Sequence, residues 1–271
     1  MKGWGTTPDS YKDNIVGLAE KGRRVLAVDN VYGVEGTSAE GVDAQKAKEL
    51  GLEGLMLDKV VAYLKMLDMK KGLDKVDVVA HSEGAIHAIY AAMLRPDRFR
   101  SMVLVDPAGM VGEDNKKRLL AGAAIDIMHL QGLNLFKREG LGGMVRKSGK
   151  AAKELGKSYR AGLDKSSMFN RVAGKGWESI GIISKTKIHE LLEAVRAQGI
   201  KVSIVHGVDD KFFNMEDIQE MTEKGMVDGF YSTKGTHNEV YLNPRPYTNL
   251  IDHGLDALEK LHQKEAEAAE E

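Results

Sequence analysis

Short apolar runs alternate with helix-like segments along most of the chain. Five runs of four to six residues are rich in hydrophobic, often β-branched side chains; they are residues 24–28, 76–80, 102–105, 201–205 and, more weakly, 227–232. Nearly continuous apolar runs of this length are typical of strands that are buried on both faces, as in a parallel sheet.

Helical patterns lie between these runs, at residues 11–20, 55–67, 84–94 and 250–261. The clearest is residues 55–67, where apolar side chains recur with a helical period at Leu57, Val60, Val61, Leu64 and Leu67. The alternation of strands and helices predicts an α/β fold with a mostly parallel sheet flanked by helices.

One long segment interrupts this alternation. It shows helical patterns at residues 116–130, 145–155 and 184–197, glycine-rich joints and no convincing strand. We therefore predict a helical insertion at residues 112–200, between a first core part at residues 1–111 and a second at residues 201–271. Its apolar residues could line a pocket or pack its own helices together; examples are Ile125, Met128, Phe136, Met144, Met168 and Trp177.

A serine between a predicted strand and a predicted helix is the strongest chemical signal. In Ala80-His81-Ser82-Glu83-Gly84, small residues stand two positions before and after the serine. Small neighbours permit a sharp turn that exposes the hydroxyl of Ser82 as a nucleophile. The backbone N–H of Glu83, at the start of the helix, would then face a developing oxyanion.

A serine nucleophile needs a base, and the base needs a carboxylate. His237 lies in a loop after the last predicted strand, where a base would be held, and we assign it that role. Asp209 and Asp210 directly follow the strand at residues 201–205, and either could orient the imidazole. His206 with Asp209 could also suggest a metal pair, but two ligands at this spacing are a weak signal.

Composition excludes several other classes of protein. The chain has no cysteine, so disulfides, thiolate metal sites and a cysteine nucleophile are excluded. A net charge of −1 gives no reason to expect binding to nucleic acid or to an anionic membrane. There is no apolar run of membrane-spanning length, and residues 1–10 lack a signal-peptide pattern. We expect a cytoplasmic protein that acts on a small molecule and needs no metal or organic cofactor.

Six segments resemble the α/β-hydrolase superfamily and follow one another in the family's order; they are residues 3–5, 24–36, 78–85, 103–109, 205–213 and 235–241. The resemblance implies a Ser–Asp–His triad and makes the insertion a helical cap over the active site. The family's acid usually stands as Gly-x-x-Asp, which leads from Gly207 to Asp210 and favours it over Asp209. Gly3-Trp4-Gly5 resembles the turn that supplies a second oxyanion donor, which implies the backbone N–H of Trp4.

The resemblance also implies N-terminal strands that this sequence lacks. One of them should lead into Gly3-Trp4-Gly5 and lie between the strands that end at Val28 and Ala80. An empty position there would leave backbone groups unpaired, which is costly when they are buried. Missing upstream residues would explain this, and we favour that explanation over direct pairing of the neighbouring strands or a strand from another chain.

These observations predict a serine hydrolase that cleaves an ester or related acyl bond of a small, apolar substrate through an acyl-enzyme. One alternative is a non-catalytic protein of the same fold that binds a ligand or partner. Another is a C–C hydrolase or acyltransferase that uses the same three residues. Serine rather than aspartate at position 82 disfavours dehalogenases and epoxide hydrolases.

Overall fold

The computed structural model describes Met1 and residues 8–27, 42–69, 72–110, 115–119, 121–122 and 180–270. The helices are α1 (Lys12–Glu20), α2 (Ala44–Glu49), α3 (Gly54–Met69), α4 (Glu83–Leu94), α5 (His189–Arg196), α6 (Met215–Glu223), α7 (Glu239–Leu242) and α8 (Pro244–Glu270). The strands are β1 (Val76–His81), β2 (Phe99–Val105), β3 (Lys201–Gly207) and β4 (Gly229–Thr233). Short 3₁₀ helices cover Pro8–Tyr11 and Pro96–Arg98.

The four strands form one parallel sheet in the order β1-β2-β3-β4. One row of paired residues crosses the whole sheet, from Ala80 to Leu104, Ile204 and Phe230. The predicted α/β fold is therefore confirmed, and four of the five predicted strands are present. The last of them begins at Gly229 rather than at residue 227.

The sheet is covered by helices on both faces. Along β2, Met102 and Leu104 pack into the apolar core that includes residues of α3, α4, α5 and α6. Their neighbours Val103 and Val105 pack into the opposite core with residues of α1 and α8. Burial on both faces explains why the strand sequences are almost continuously hydrophobic rather than alternating.

The prediction of a strand at residues 24–28 is wrong for residues 24–27, which lie outside the sheet; Val28 lies outside the described residues. Val25 and Leu26 are 36% and 40% exposed. Residues 24–27 and β1 line one cavity of about 750 Å³ instead of pairing directly. Among the described residues, no strand pairs with this segment to satisfy its backbone N–H and C=O groups, so it does not become a strand.

Met1 lies beside β1 and also lines this cavity. Its carbonyl accepts a hydrogen bond from the backbone N–H of His81 at 3.1 Å, and its amine donates to the carbonyl of Val79. These two bonds flank Ala80 as in a parallel ladder. Burial lowers the pKa of the Met1 amine to about 5.

Most of the predicted helical insertion lies outside the described residues. That holds for all six of its named apolar residues: Ile125, Met128, Phe136, Met144, Met168 and Trp177. Residues 116–119 and 180–185 are helical, and the backbone N–H of Ile188 donates to the carbonyl of Gly109 at 2.9 Å. Among the helices that the structure describes, none has the length and apolar character needed to cross a membrane.

Candidate active site

Ser82 connects β1 to α4 through a sharp turn. Its φ of 53° lies in the left-handed region, which is strained for a residue with a side chain. Two hydrogen bonds hold this conformation: the N–H of Ser82 donates to the carbonyl of Val105 at 3.0 Å, and its carbonyl accepts from the N–H of Ala108 at 3.2 Å. The end of β2 and the loop after it therefore fix the turn in the shape that the sequence motif predicts.

His237 meets Ser82 from the loop between β4 and α7. Its Nε2 lies 2.9 Å from the Oγ of Ser82, and the ring is almost completely buried. Aromatic rings enclose it: the centroid of Phe212 lies 4.5 Å from that of His237, and the centroid of Phe213 lies 5.3 Å away. The imidazole is thus held within hydrogen-bond distance of the hydroxyl, with two aromatic rings packed against it.

Asp210 lies on the other side of the imidazole, with Oδ2 2.8 Å from the Nδ1 of His237. Its Oδ1 accepts the backbone N–H groups of Phe212 at 2.6 Å and Phe213 at 3.1 Å. Burial acts to raise the pKa of Asp210, but the charge and hydrogen bond of His237 outweigh it and lower the pKa. Asp209 is half-buried, and in the described part of the chain only Asp210 of the two contacts His237.

Close backbone packing brings the acid and base loops together. The N–H of Asp209 donates to the carbonyl of Gly235 at 2.9 Å, and the N–H of Val208 donates to that of Thr233 at 2.9 Å. A Cβ on Gly207 would lie 2.6 Å from the Gly235 carbonyl oxygen. A side chain at Gly207 would therefore force the two loops apart.

His81, the residue before the nucleophile, supports the base, a role that sequence reasoning did not assign. Its Nε2 lies 3.0 Å from the backbone carbonyl oxygen of His237, and its Nδ1 lies 2.7 Å from the hydroxyl of Tyr11. Burial, with the nearby His237 imidazole, lowers the pKa of His81 to about 3, so the ring is neutral. Because a carbonyl only accepts, Nε2 carries the hydrogen and Tyr11 donates to Nδ1.

Glu83 begins α4, so its backbone N–H lies at the positive end of the helix dipole. Its side chain forms a buried ion pair, with Oε1 2.6 Å from the Nζ of Lys59 on α3 and 3.7 Å from the Nε2 of His87. Lys59 and Glu83 are each 2% exposed. Trp4, predicted as the second oxyanion donor, lies outside the described residues.

Two overlapping groups of described residues could offer three ligand atoms to a metal. One is His81, Asp106 and His237, and the other is Asp106, His206 and Asp210. The ligand atoms within each group lie within 4.8 Å of one another, but all of these side chains are buried. Asp209, which the sequence paired with His206, belongs to neither group.

The comparisons with known proteins agree with this architecture. A family model described as the alpha/beta hydrolase fold matches residues 2–123. The structure is similar to a bromoperoxidase from Bacillus anthracis (17% identity) and an esterase from Exiguobacterium antarcticum (15%), each with a TM-score of 0.62 over 94% of this chain and 90% of the other. A meta-cleavage product hydrolase from Pseudomonas fluorescens is 14% identical, with a TM-score of 0.57 over 94% of this chain and 88% of that one. Among curated proteins, none matches the sequence.

Proposed function

We propose that this chain, which has the α/β-hydrolase fold, is a serine hydrolase that cleaves an ester bond of a small, apolar substrate. One observation carries this proposal. A continuous chain of contacts runs from the Oγ of Ser82 to His237 at 2.9 Å, and from His237 to Asp210 at 2.8 Å. All three side chains are buried, and the serine adopts the strained turn of a nucleophile.

In the first step, Ser82 attacks the ester carbonyl while the Nε2 of His237 takes the hydroxyl proton. Asp210 fixes the tautomer of His237 through Nδ1 and stabilises the imidazolium that forms. The carbonyl oxygen becomes an oxyanion, and the backbone N–H of Glu83 stabilises it at the start of α4. His237 then gives its proton to the leaving alcohol, which departs and leaves an acyl group on Ser82.

In the second step, a water molecule replaces the alcohol. His237 takes a proton from the water as it attacks the acyl carbonyl, and then returns that proton to the Oγ of Ser82. The acid product is released, and the enzyme is restored without a metal or organic cofactor. The N–H of Trp4 as a second oxyanion donor remains a prediction.

The surroundings of His237 support an apolar substrate. Phe212 is only half-buried and its ring packs against the imidazole at a tilt of 33°, so it presents an apolar wall beside the reacting centre. A hydrocarbon group packed on such a wall would leave water, whereas a charged acyl group would lose its hydration without a partner.

The proposal is tested with p-nitrophenyl esters, from acetate to octanoate, and with one ester that carries a charged acyl group. Wild-type protein should hydrolyse the uncharged esters faster than the charged one. Ser82→Ala should lower kcat by at least about 10³-fold, because removing a triad member abolishes nucleophilic catalysis. Ser232→Ala, an exposed serine on β4, is the matched control and should retain full activity. Folded wild-type protein without ester hydrolysis, or Ser82→Ala with wild-type turnover, would refute the proposal.

A further inference from the structure

Two buried groups beside the triad take no part in the mechanism above. Asp106 directly follows β2 and His206 lies near the end of β3, and both are fully buried. The Nδ1 of His206 lies 3.0 Å from the Oδ1 of Asp106. Asp106 has a φ of 44°, which is the strained left-handed conformation. Among the described residues other than glycine, only Asp106 and Ser82 adopt it.

Asp106 faces both the acid and the base of the triad. Ligand-capable atoms of Asp106, His206 and Asp210 lie within 4.8 Å of one another, and the same holds for Asp106, His81 and His237. The Oδ1 of Asp106 accepts the backbone N–H of Gly207 at 2.7 Å. Its Oδ2 and the Nε2 of His206 are buried without a hydrogen-bond partner among the described residues, and the contact between Asp106 and His206 has the distance of an ion pair but not the angles of a hydrogen bond. A buried carboxylate oxygen in that state needs a function or a nearby positive charge to explain it.

Carboxyl and imidazole groups alternate around the triad. Burial raises the pKa of Asp106. Burial alone would lower the pKa of His206, but the contact with Asp106 outweighs burial and raises the pKa of His206. A buried carboxyl and a buried imidazole in contact at 3.0 Å can hold one proton between them, which leaves the pair without net charge. In the charge-separated form, anionic Asp106 faces His237 while cationic His206 faces Asp210. Asp210 contacts His237 at Nδ1, and His81, which also packs against His237, is neutral.

We propose that Asp106 and His206 are positioning residues for the catalytic base, a charge-separated pair whose negative end stabilises the imidazolium that His237 becomes. The inference rests on the proposed function, in which His237 takes the Ser82 proton. Neither Asp106 nor His206 gains or loses a proton during the reaction. The pair acts as a fixed dipole, which favours charge at His237 without adding net charge to the site.

Histidine titration by ¹⁵N NMR tests the pair without requiring turnover. In wild-type protein at pH 7, the His206 ring should carry protons on both nitrogens, with its signals assigned from His206→Asn. Asp106→Asn should leave His206 neutral at pH 7 and move the titration of His237 to lower pH. Asp209→Asn changes a half-buried carboxylate nearby and should move neither signal.

Kinetics with an ester substrate give a second readout. Asp106→Asn should lower kcat about tenfold with little change in KM, and the acid limb of the kcat/KM profile should move to lower pH. A purely structural role would lower the melting temperature without moving that limb. A neutral His206 in wild-type protein, or an unmoved His237 titration in folded Asp106→Asn, would overturn the inference. The NMR experiments need no substrate. Failure of the proposed function would therefore be seen separately, as the absence of ester hydrolysis.

Discussion

The imidazole of His81 donates a hydrogen bond from Nε2 to the backbone carbonyl of His237 at 3.0 Å, across 156 positions of sequence. His81, the residue before Ser82, therefore fixes the loop that carries His237, the base for Ser82. The two imidazole rings are 4.9 Å apart, and Tyr11 holds the far nitrogen of His81. Nucleophile and base are thus coupled through the backbone as well as through their side chains.

His81 should make the protein sensitive to acid. Its pKa is about 3 in the folded chain against 6.5 in the unfolded one, so acidification protonates the unfolded chain first. The stability contributed by neutral His81 is therefore complete above pH 6.5 and is lost as the pH falls towards 3. In urea denaturation between pH 7 and pH 4, the free energy of unfolding should fall less steeply with pH in His81→Gln than in wild-type protein. The two slopes should differ by up to about 1.4 kcal/mol per pH unit.

The same experiment contains its own control. The other titratable groups are present in both proteins, so the difference between the two curves reports mainly on His81. Glutamine keeps an N–H donor for the carbonyl of His237, which limits damage to the base loop. Parallel stability curves for His81→Gln and wild-type protein would show that His81 is not the buried neutral group described above.

Neighbouring aspartates should differ sharply in their effect on turnover. Asp210→Asn should lower kcat by about 10⁴-fold, because an amide cannot stabilise the imidazolium and permits the wrong tautomer. Asp209→Asn should remain within about twofold of wild type, since of the two aspartates in the described chain only Asp210 contacts His237. Steady-state kinetics on p-nitrophenyl butyrate measure both. Equal losses in the two variants would contradict the assignment of Asp210 as the acid.

The buried ion pair behind the oxyanion donor should be critical for stability. Lys59→Met leaves Glu83 buried without its ammonium partner, which typically costs about 3–5 kcal/mol. Thermal or urea denaturation should show this loss. The double variant Lys59→Met with Glu83→Gln removes both charges and should recover most of the lost free energy of unfolding. A double variant no more stable than Lys59→Met would show that the pair's charges do not determine the loss.

Three of the strands were predictable because burial on both faces leaves a continuous apolar run, as in β2 between α3 and α8. Residues 24–27 show the limit of that signal: their sequence has strand character, but a strand forms only where another backbone is in reach. Helix α8 extends beyond the predicted residue 261 to Glu270 because its Lys-, Glu- and Ala-rich end has high helix propensity even when exposed.

The candidate triad was predictable because its members follow strand ends in a fixed order. Asp106 and His206 were not, although both also come at the ends of strands. Loops at the carboxyl ends of parallel strands converge, so a polar residue after each apolar run could have drawn attention to both. Lys59 was missed because a lysine beside the apolar positions of a helix is usually solvated, and only the fold brings Glu83 to it.

Covalent labelling of Ser82 tests the central claim most directly, because only an activated serine reacts quickly with a fluorophosphonate. Intact-mass spectrometry should show one label per wild-type chain, no label on Ser82→Ala, and labelling of His237→Ala at least about 10³-fold slower. Folded wild-type protein that stays unlabelled, or Ser82→Ala that labels at the wild-type rate, would contradict the account.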